Sequence, residues 1–204
     1  ATKRNRIFVI GTRKDRADPL TLEDIAAWKV SPATVEDAIF DLGTAEPVCE
    51  EDGFDIWKTK CIGRPSDYAD RLRAADGLFS GHRMTVHQKK VIERFSTVAP
   101  GRMDLVGRHP RLDWRGQCPT LRAGTGVEKG SFQAVRPIHP DQDRVITVRE
   151  AARLQGFPDA HRFHPTVWHS FRMIGNSVSP IIAEAIFRAI AVKLTGVEPR
   201  QAAF

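Results

Sequence analysis

Apolar residues recur along this chain in two rhythms. At positions 7–10 they are consecutive (Ile7, Phe8, Val9, Ile10) and end at Gly11, the pattern of a strand covered on both faces. Elsewhere the rhythm is helical. Val35, Ile39 and Leu42 fall at i, i+4 and i+7. Val91, Ile92 and Phe95 form a buried stripe in a helix expected over 86–98. From Pro180 to about Leu194, Ile181, Ile182, Ala185, Ile186, Ala189 and Ile190 alternate with Glu184, Arg188 and Lys193, which predicts an amphipathic helix packed on a core.

Capping residues fix the ends of these elements. Thr147 and Glu150 form a capping box ahead of a helix over 148–155, where Ala151, Ala152 and Leu154 supply apolar surface. Gly156 stops it and Pro158 prevents its resumption. A helix over 166–174 ends at Gly175, and Ser179 with Pro180 opens the last one, leaving 175–178 as a polar loop that feeds a helix N-terminus. Thr21 starts a short helix. Ser31-Pro32 starts another that ends at Leu42-Gly43, and 66–75 reads as helical. Residues 44–64 are acidic and predict only a surface excursion. Short strands are expected over 119–123 and 133–138, separated by glycine turns.

Hydrophobic residues make up 41% of the 204, enough for a globular core. No apolar run approaches the ~20 residues of a bilayer span, and the basic start lacks a signal peptide's apolar core. Cys49, Cys61 and Cys118 have neither metal spacing nor an even-numbered framework, which points to reduced thiols in a cytoplasmic protein. The net charge of +6 is compatible with nucleic acid. Its distribution says more: arginines at 102, 108, 111, 115 and 122 meet only Asp104 and Asp113, and Lys129 is the one lysine between Lys90 and Lys193. Guanidinium suits bidentate contacts to phosphate and guanine. Histidines 82 and 87 are expected to be exposed or capping. Histidines 161, 164 and 169 lack a cysteine or acidic cluster beside them, so no metal is expected.

The segment TVREAARLQGFPD, followed by FRMIGNSVSPIIAEAI, resembles the ninth and tenth motifs of the DNA (cytosine-5) methyltransferases. Arg4-x-Arg6 before an apolar strand and Gly11 resembles the eighth, with Thr2 where the family usually has glutamine. PTLRAGTG places Thr120-Leu121 where the family's recognition region carries a Thr-Leu-type dipeptide. The resemblance implies an α/β chain with three parts. Residues 1–44 are the edge of a class I S-adenosylmethionine-dependent methyltransferase sheet and a connecting helix. Residues 45–145 are a small mixed target-recognition domain, and 146–204 are helices returning to the catalytic domain. It implies methyl transfer from S-adenosylmethionine to a flipped cytosine in double-stranded DNA, through a cysteine thiolate added to the ring's sixth carbon.

Roles follow only for matching residues. Arg4 and Arg6 face the cytosine and catalytic loop. Asn176, Ser177 and Val178 complete a partial S-adenosylmethionine pocket. Thr120, Leu121, Arg122, Arg115 and Arg136 lie near DNA, and Arg149 and Glu150 hold the recognition region. The glycine-rich cofactor loop, the Pro-Cys-Gln nucleophile and the Glu-Asn-Val segment do not occur in this sequence, and Cys118 reads as structural. The chain is therefore expected to be a C-terminal portion or a subunit, inactive alone, whose partner is an N-terminal catalytic half from the same gene or a separate one. The rival reading is a non-catalytic DNA-binding module. A protein scaffold without DNA fits the arginines least.

Overall fold

The computed structural model describes residues 1–60, 64–122 and 135–197. They form two compact units: residues 1–3 with Ala33–Ser177, and Arg4–Pro32 with the segment from Val178.

The first unit is built around one helix. In chain order it contains α2 (Val35–Ile39), a 3-10 turn (Phe40–Thr44), β1 (Glu46–Glu51), β2 (Phe54–Lys58), α3 (Asp67–Leu72), β3 (Leu78–Ser80), α4 (Lys89–Ser96), α5 (Val148–Gln155) and α6 (Val167–Asn176). The strands make an antiparallel sheet in the order β1-β2-β3, with a bulge between Pro47 and Cys49. All eight residues of α5 are buried. Its Ala151, Ala152 and Leu154 meet Val35, Ala38, Ile39 and Leu42 of α2 and its following turn, Phe79 of β3, and Phe171 and Ile174 of α6. A smaller cluster joins Phe95 of α4 to Ile138 and Val145.

Several boundaries differ from the sequence-based expectation. The helix expected from Ser31-Pro32 begins instead at Thr34, whose hydroxyl accepts from the Asp37 N–H while Asp37 accepts from the Thr34 N–H. Beyond Ile39 it tightens to 3-10 geometry. The acidic excursion is the β1–β2 hairpin. Asp52 and Gly53 both have positive φ (51° and 79°), the requirement of a type I′ turn. α4 starts three residues later than expected, and its Ile92 is exposed. α6 runs through Gly175 to Asn176, so the polar loop is shorter than expected. Among the described residues of 119–122 and 135–138 no strand forms, and Ile138 makes isolated bridges to Arg111 and Val145; the rest of those expected strands, with Gly124, Gly126, Lys129 and Gly130, lies outside the described residues.

The second unit holds α1 (Leu22–Ala26) and α7 (Pro180–Thr195). Lys193 reaches Asp24 at 3.2 Å, and the Arg188 guanidinium lies over Trp28. The buried strand expected at 7–10 is absent: these residues pair with no strand, and Ile7 and Val9 are each 94% exposed. A strand apolar on both faces needs ladder partners and two covering layers; no described residue supplies them. Among the described residues no helix is long and apolar enough to cross a membrane.

Candidate nucleic-acid interface and its supporting frame

Charged residues inside α5 tie it to β3, to the turn that follows it and to the 3-10 turn after α2. Thr147 caps α5, accepting from the Glu150 N–H while Glu150 accepts from the Thr147 N–H. The same carboxylate accepts two bonds from Arg144, at 2.9 and 2.7 Å. Burial, the largest influence, pushes the Glu150 carboxyl up, but the Arg144 hydrogen bonds and charge outweigh it and bring it down to about 2. Arg149 donates to the backbone carbonyls of Ser80, Pro158 and His161, and so ties β3 to the turn after α5. Burial lowers its pKa to about 10, which leaves it charged at neutral pH. Arg153 makes a bidentate pair with Asp159, both bonds 2.6 Å, and reaches Asp41 and the Ala38 carbonyl. Arginine suits this duty because its planar fork offers five donors to fixed acceptors.

The candidate recognition residues sit in different surroundings. Leu121 is buried in the core with Cys118 and offers no surface to DNA; the candidate contact here reduces to Thr120 and Arg122, both exposed. Thr120 donates to the Lys3 carbonyl at 2.9 Å, and Cys118 and residues 1–3 exchange two backbone hydrogen bonds, so the chain start is laced alongside 118–120. Burial pushes the Cys118 thiol up to about 12, which makes it inert as a thiolate source. Arg115 is exposed. Arg136 is half-buried, donates to Thr85 and lies over the Phe171 ring. Arg111, counted among the free arginines of the sequence, faces inward: it grips the carbonyls of Phe95, His139 and Pro140 and the Asp143 carboxylate. Arg144 is likewise committed to Glu150.

His82, expected to be exposed, is buried, with Nδ1 3.0 Å from Thr147 Oγ1. Its N–H, with those of Gly81 and Arg83, donates to Asp55, which also accepts from Trp57. Sequence reasoning missed Asp55, Asp41 and Asp159; a lone aspartate beside a hairpin or turn carries no periodic signal. Among the described residues no cluster of three metal-ligating side chains occurs.

At the end of α6, Asn176 is exposed, and the Ser177 hydroxyl donates to the Ile174 carbonyl. The Ser177 carbonyl accepts from Gln155 Nε2, while the buried Gln155 Oε1 has no partner. Exposed amide, hydroxyl and spare buried acceptor fit one side of a polar nucleoside-amino-acid cofactor. Val178 opens the second unit and is exposed. In that unit Arg4 is half-buried, and Arg6 is exposed and donates to the Asn5 carbonyl.

The sequence matches the family model of the C-5 cytosine-specific DNA methylases over residues 1–192, and the chain belongs to that family. Type II methyltransferase M.XorII of Xanthomonas oryzae pv. oryzae is 41% identical over 197 residues, which cover 90% of this chain and 45% of the relative. DNA (cytosine-5)-methyltransferase CMT2 of Oryza sativa subsp. japonica is 49% identical over 76 residues, 36% of this chain and 6% of its own. A crystal structure described as a prophage-encoded DNA modification methyltransferase (E. coli) superposes with a TM-score of 0.64 at 37% identity, covering 81% of this chain and 48% of that one. The chain thus spans less than half the length of each of these relatives.

Proposed function

We propose that this chain is the C-terminal, DNA-recognising portion of a DNA cytosine-5 methyltransferase, completed by an N-terminal catalytic half. The observation that carries the reading is the frame around α5. Arg144, Arg149 and Arg153 are spent on holding backbone and carboxylates, while Thr120, Arg122 and Arg115 stay at the surface. The division of labour is then 1–44 as the end of the catalytic sheet, 45–145 as the recognition domain, and 146–204 as the returning helices. Arg4 and Arg6 support the catalytic pocket, Arg136 flanks the DNA, and Arg149 and Glu150 hold the recognition region. Asn176, Ser177 and the adjoining Val178 would hold one side of S-adenosylmethionine, which supplies the methyl group when bound. The sequence has no nucleophile in the family's Pro-Cys-Gln context, so this chain is inactive alone. The type II methyltransferase relative supports a restriction-modification setting. The rival, a non-catalytic DNA-binding module, keeps the DNA contacts and drops the partner.

The test is tritiated S-adenosylmethionine with mixed-sequence duplex. The chain alone transfers no label; adding the catalytic half restores transfer, and Asn176→Ala then weakens cofactor binding more than DNA binding. Label on cytosine from this chain alone would falsify the division of labour, and failure of any catalytic half to restore transfer favours the module.

A further inference from the structure

Residues 102–110 form a tight loop whose charges and apolar groups are sorted to opposite sides. Its base closes through the Met103–Pro110 bridge and the Arg111 N–H to Arg102 carbonyl bond of 2.8 Å. Inside, Asp104 is only 2% exposed. Its carboxylate accepts from the N–H groups of Val106 and Gly107 and pairs with Arg94 at 3.2 Å, while its own N–H donates to the His109 carbonyl. A Cβ at Gly107 would sit 2.5 Å from the His109 ring and 2.9 Å from the Asp104 carboxylate, so only glycine fits. Arg108 takes a positive φ of 56°, unusual for a residue with a side chain. The loop is thus built to one shape, and the shape pushes Leu105 and Val106 outward, 93% and 75% exposed.

Covering adjacent aliphatics this exposed would release hydrophobic free energy. What flanks them indicates what covers them. Arg102 and Arg108 are exposed on either side of the tip, and among the described residues neither has a carboxylate partner. Asp104, the loop's only acidic residue, is turned inward onto Arg94. An apolar point between two free guanidiniums is complementary to stacked bases between phosphates. His109, at the loop's base, contacts the Arg136 carbonyl through Nδ1 at 2.7 Å, which couples the loop to a candidate DNA contact.

We infer that the 102–108 loop is a wedge for duplex DNA: Leu105 and Val106 enter a groove against the bases, and Arg102 and Arg108 hold phosphates on either side. This rests on the DNA-recognition reading and adds a segment that the motif resemblance does not single out. Because the loop is already ordered by Asp104, its insertion costs little conformational entropy. The wedge opens a base step, and the arginines carry the salt dependence.

The test compares the unaltered full chain, alone and assembled with the catalytic half, with Leu105→Ser/Val106→Ser and with Arg102→Ala/Arg108→Ala. Duplexes carry 2-aminopurine at successive positions. The serine pair should bind about tenfold more weakly with an unchanged salt slope, and should lose a fluorescence rise seen with the unaltered chain. The alanine pair should lower the slope of log affinity against log salt by about 0.9 per arginine. The four side chains are exposed, so melting temperatures should be unaltered, and Asp104→Asn should reproduce the serine phenotype by releasing the clasp. If the unaltered chain binds no duplex in either form, the DNA-recognition reading falls and this inference with it. If it binds and the serine pair binds equally well without losing fluorescence, only the wedge is refuted. If the serine pair instead weakens assembly with the catalytic half at unchanged duplex affinity, the tip is a protein interface and the wedge is overturned.

Discussion

His139 and Glu150 sit 3.9 Å apart in the same buried pocket, and their titrations act in the same direction. His139 Nδ1 accepts from the N–H groups of Asp141 and Gln142, which puts the ring proton on Nε2. Burial, aided by Arg144 and opposed by Glu150, lowers its pKa to about 4. A group whose folded pKa lies below its unfolded value contributes stability that is lost as pH falls through that window. For His139 the window runs from about 6.5 down to about 4, and for Glu150 from about 4.5 down to about 2. The melting temperature should therefore fall in two stages on acidification, and His139→Asn, which keeps an acceptor near Nδ1, should shrink the upper stage; an unchanged upper stage in that variant refutes the assignment. Arg149→Lys tests the frame at the same scale. Lysine cannot reach three carbonyls at once, so a loss of about 3 kcal/mol is expected by urea titration. Why Arg153 and Arg111 turn inward while Arg115 and Arg122 stay out was not legible in the sequence. Their acceptors are carbonyls and aspartates brought near by the fold, as Asp159 is to Arg153.

Among elements, those with local signals were the legible ones. The Thr147 box, Gly156 stop and Ser179-Pro180 start define α5 and the opening of α7 as expected. Gly156 takes a φ of 91°, so Gly156→Ala should cost about 1–2 kcal/mol, read as a lower melting temperature with α5 otherwise intact. Ser31-Pro32 misled because Thr34 and Asp37 make the stronger reciprocal cap. The hairpin escaped notice although Asp-Gly marks it. β1 is exposed throughout, so its residues show no alternation of buried and open positions. β3 has three residues, too few for any periodicity. Residues 7–10 mislead for a reason of larger scale: their pattern specifies a strand whose partners the described residues do not contain.

The whole molecule is thus unevenly finished. Its first unit encloses a core around α5, whereas in α7 only Ala189 is fully buried. In the second unit Ile7, Val9, Leu22 and Phe187 stand exposed. If the proposed catalytic half pairs with 7–10, amide exchange there should slow by orders of magnitude on assembly, while exchange in α5 stays as it was. Unchanged exchange at 7–10 in an active complex would place the junction elsewhere.

Arg149 and Arg111 clasp peptide oxygens at Ser80, Pro158, His161, Phe95, His139 and Pro140. Every amino acid brings that oxygen, so the hold does not depend on the side chains at those six places. The exposed positions between such anchors, Arg115, Gln117, Thr120 and Arg122, can therefore take a relative's residues without retuning the scaffold. A chimera that takes a relative's residues at those four positions, and keeps Leu112, Cys118, Leu121 and both arginines, should melt within a few degrees of the parent and, assembled with the catalytic half, methylate a different sequence. Its two clasps would be the same, and its reading of the duplex would not.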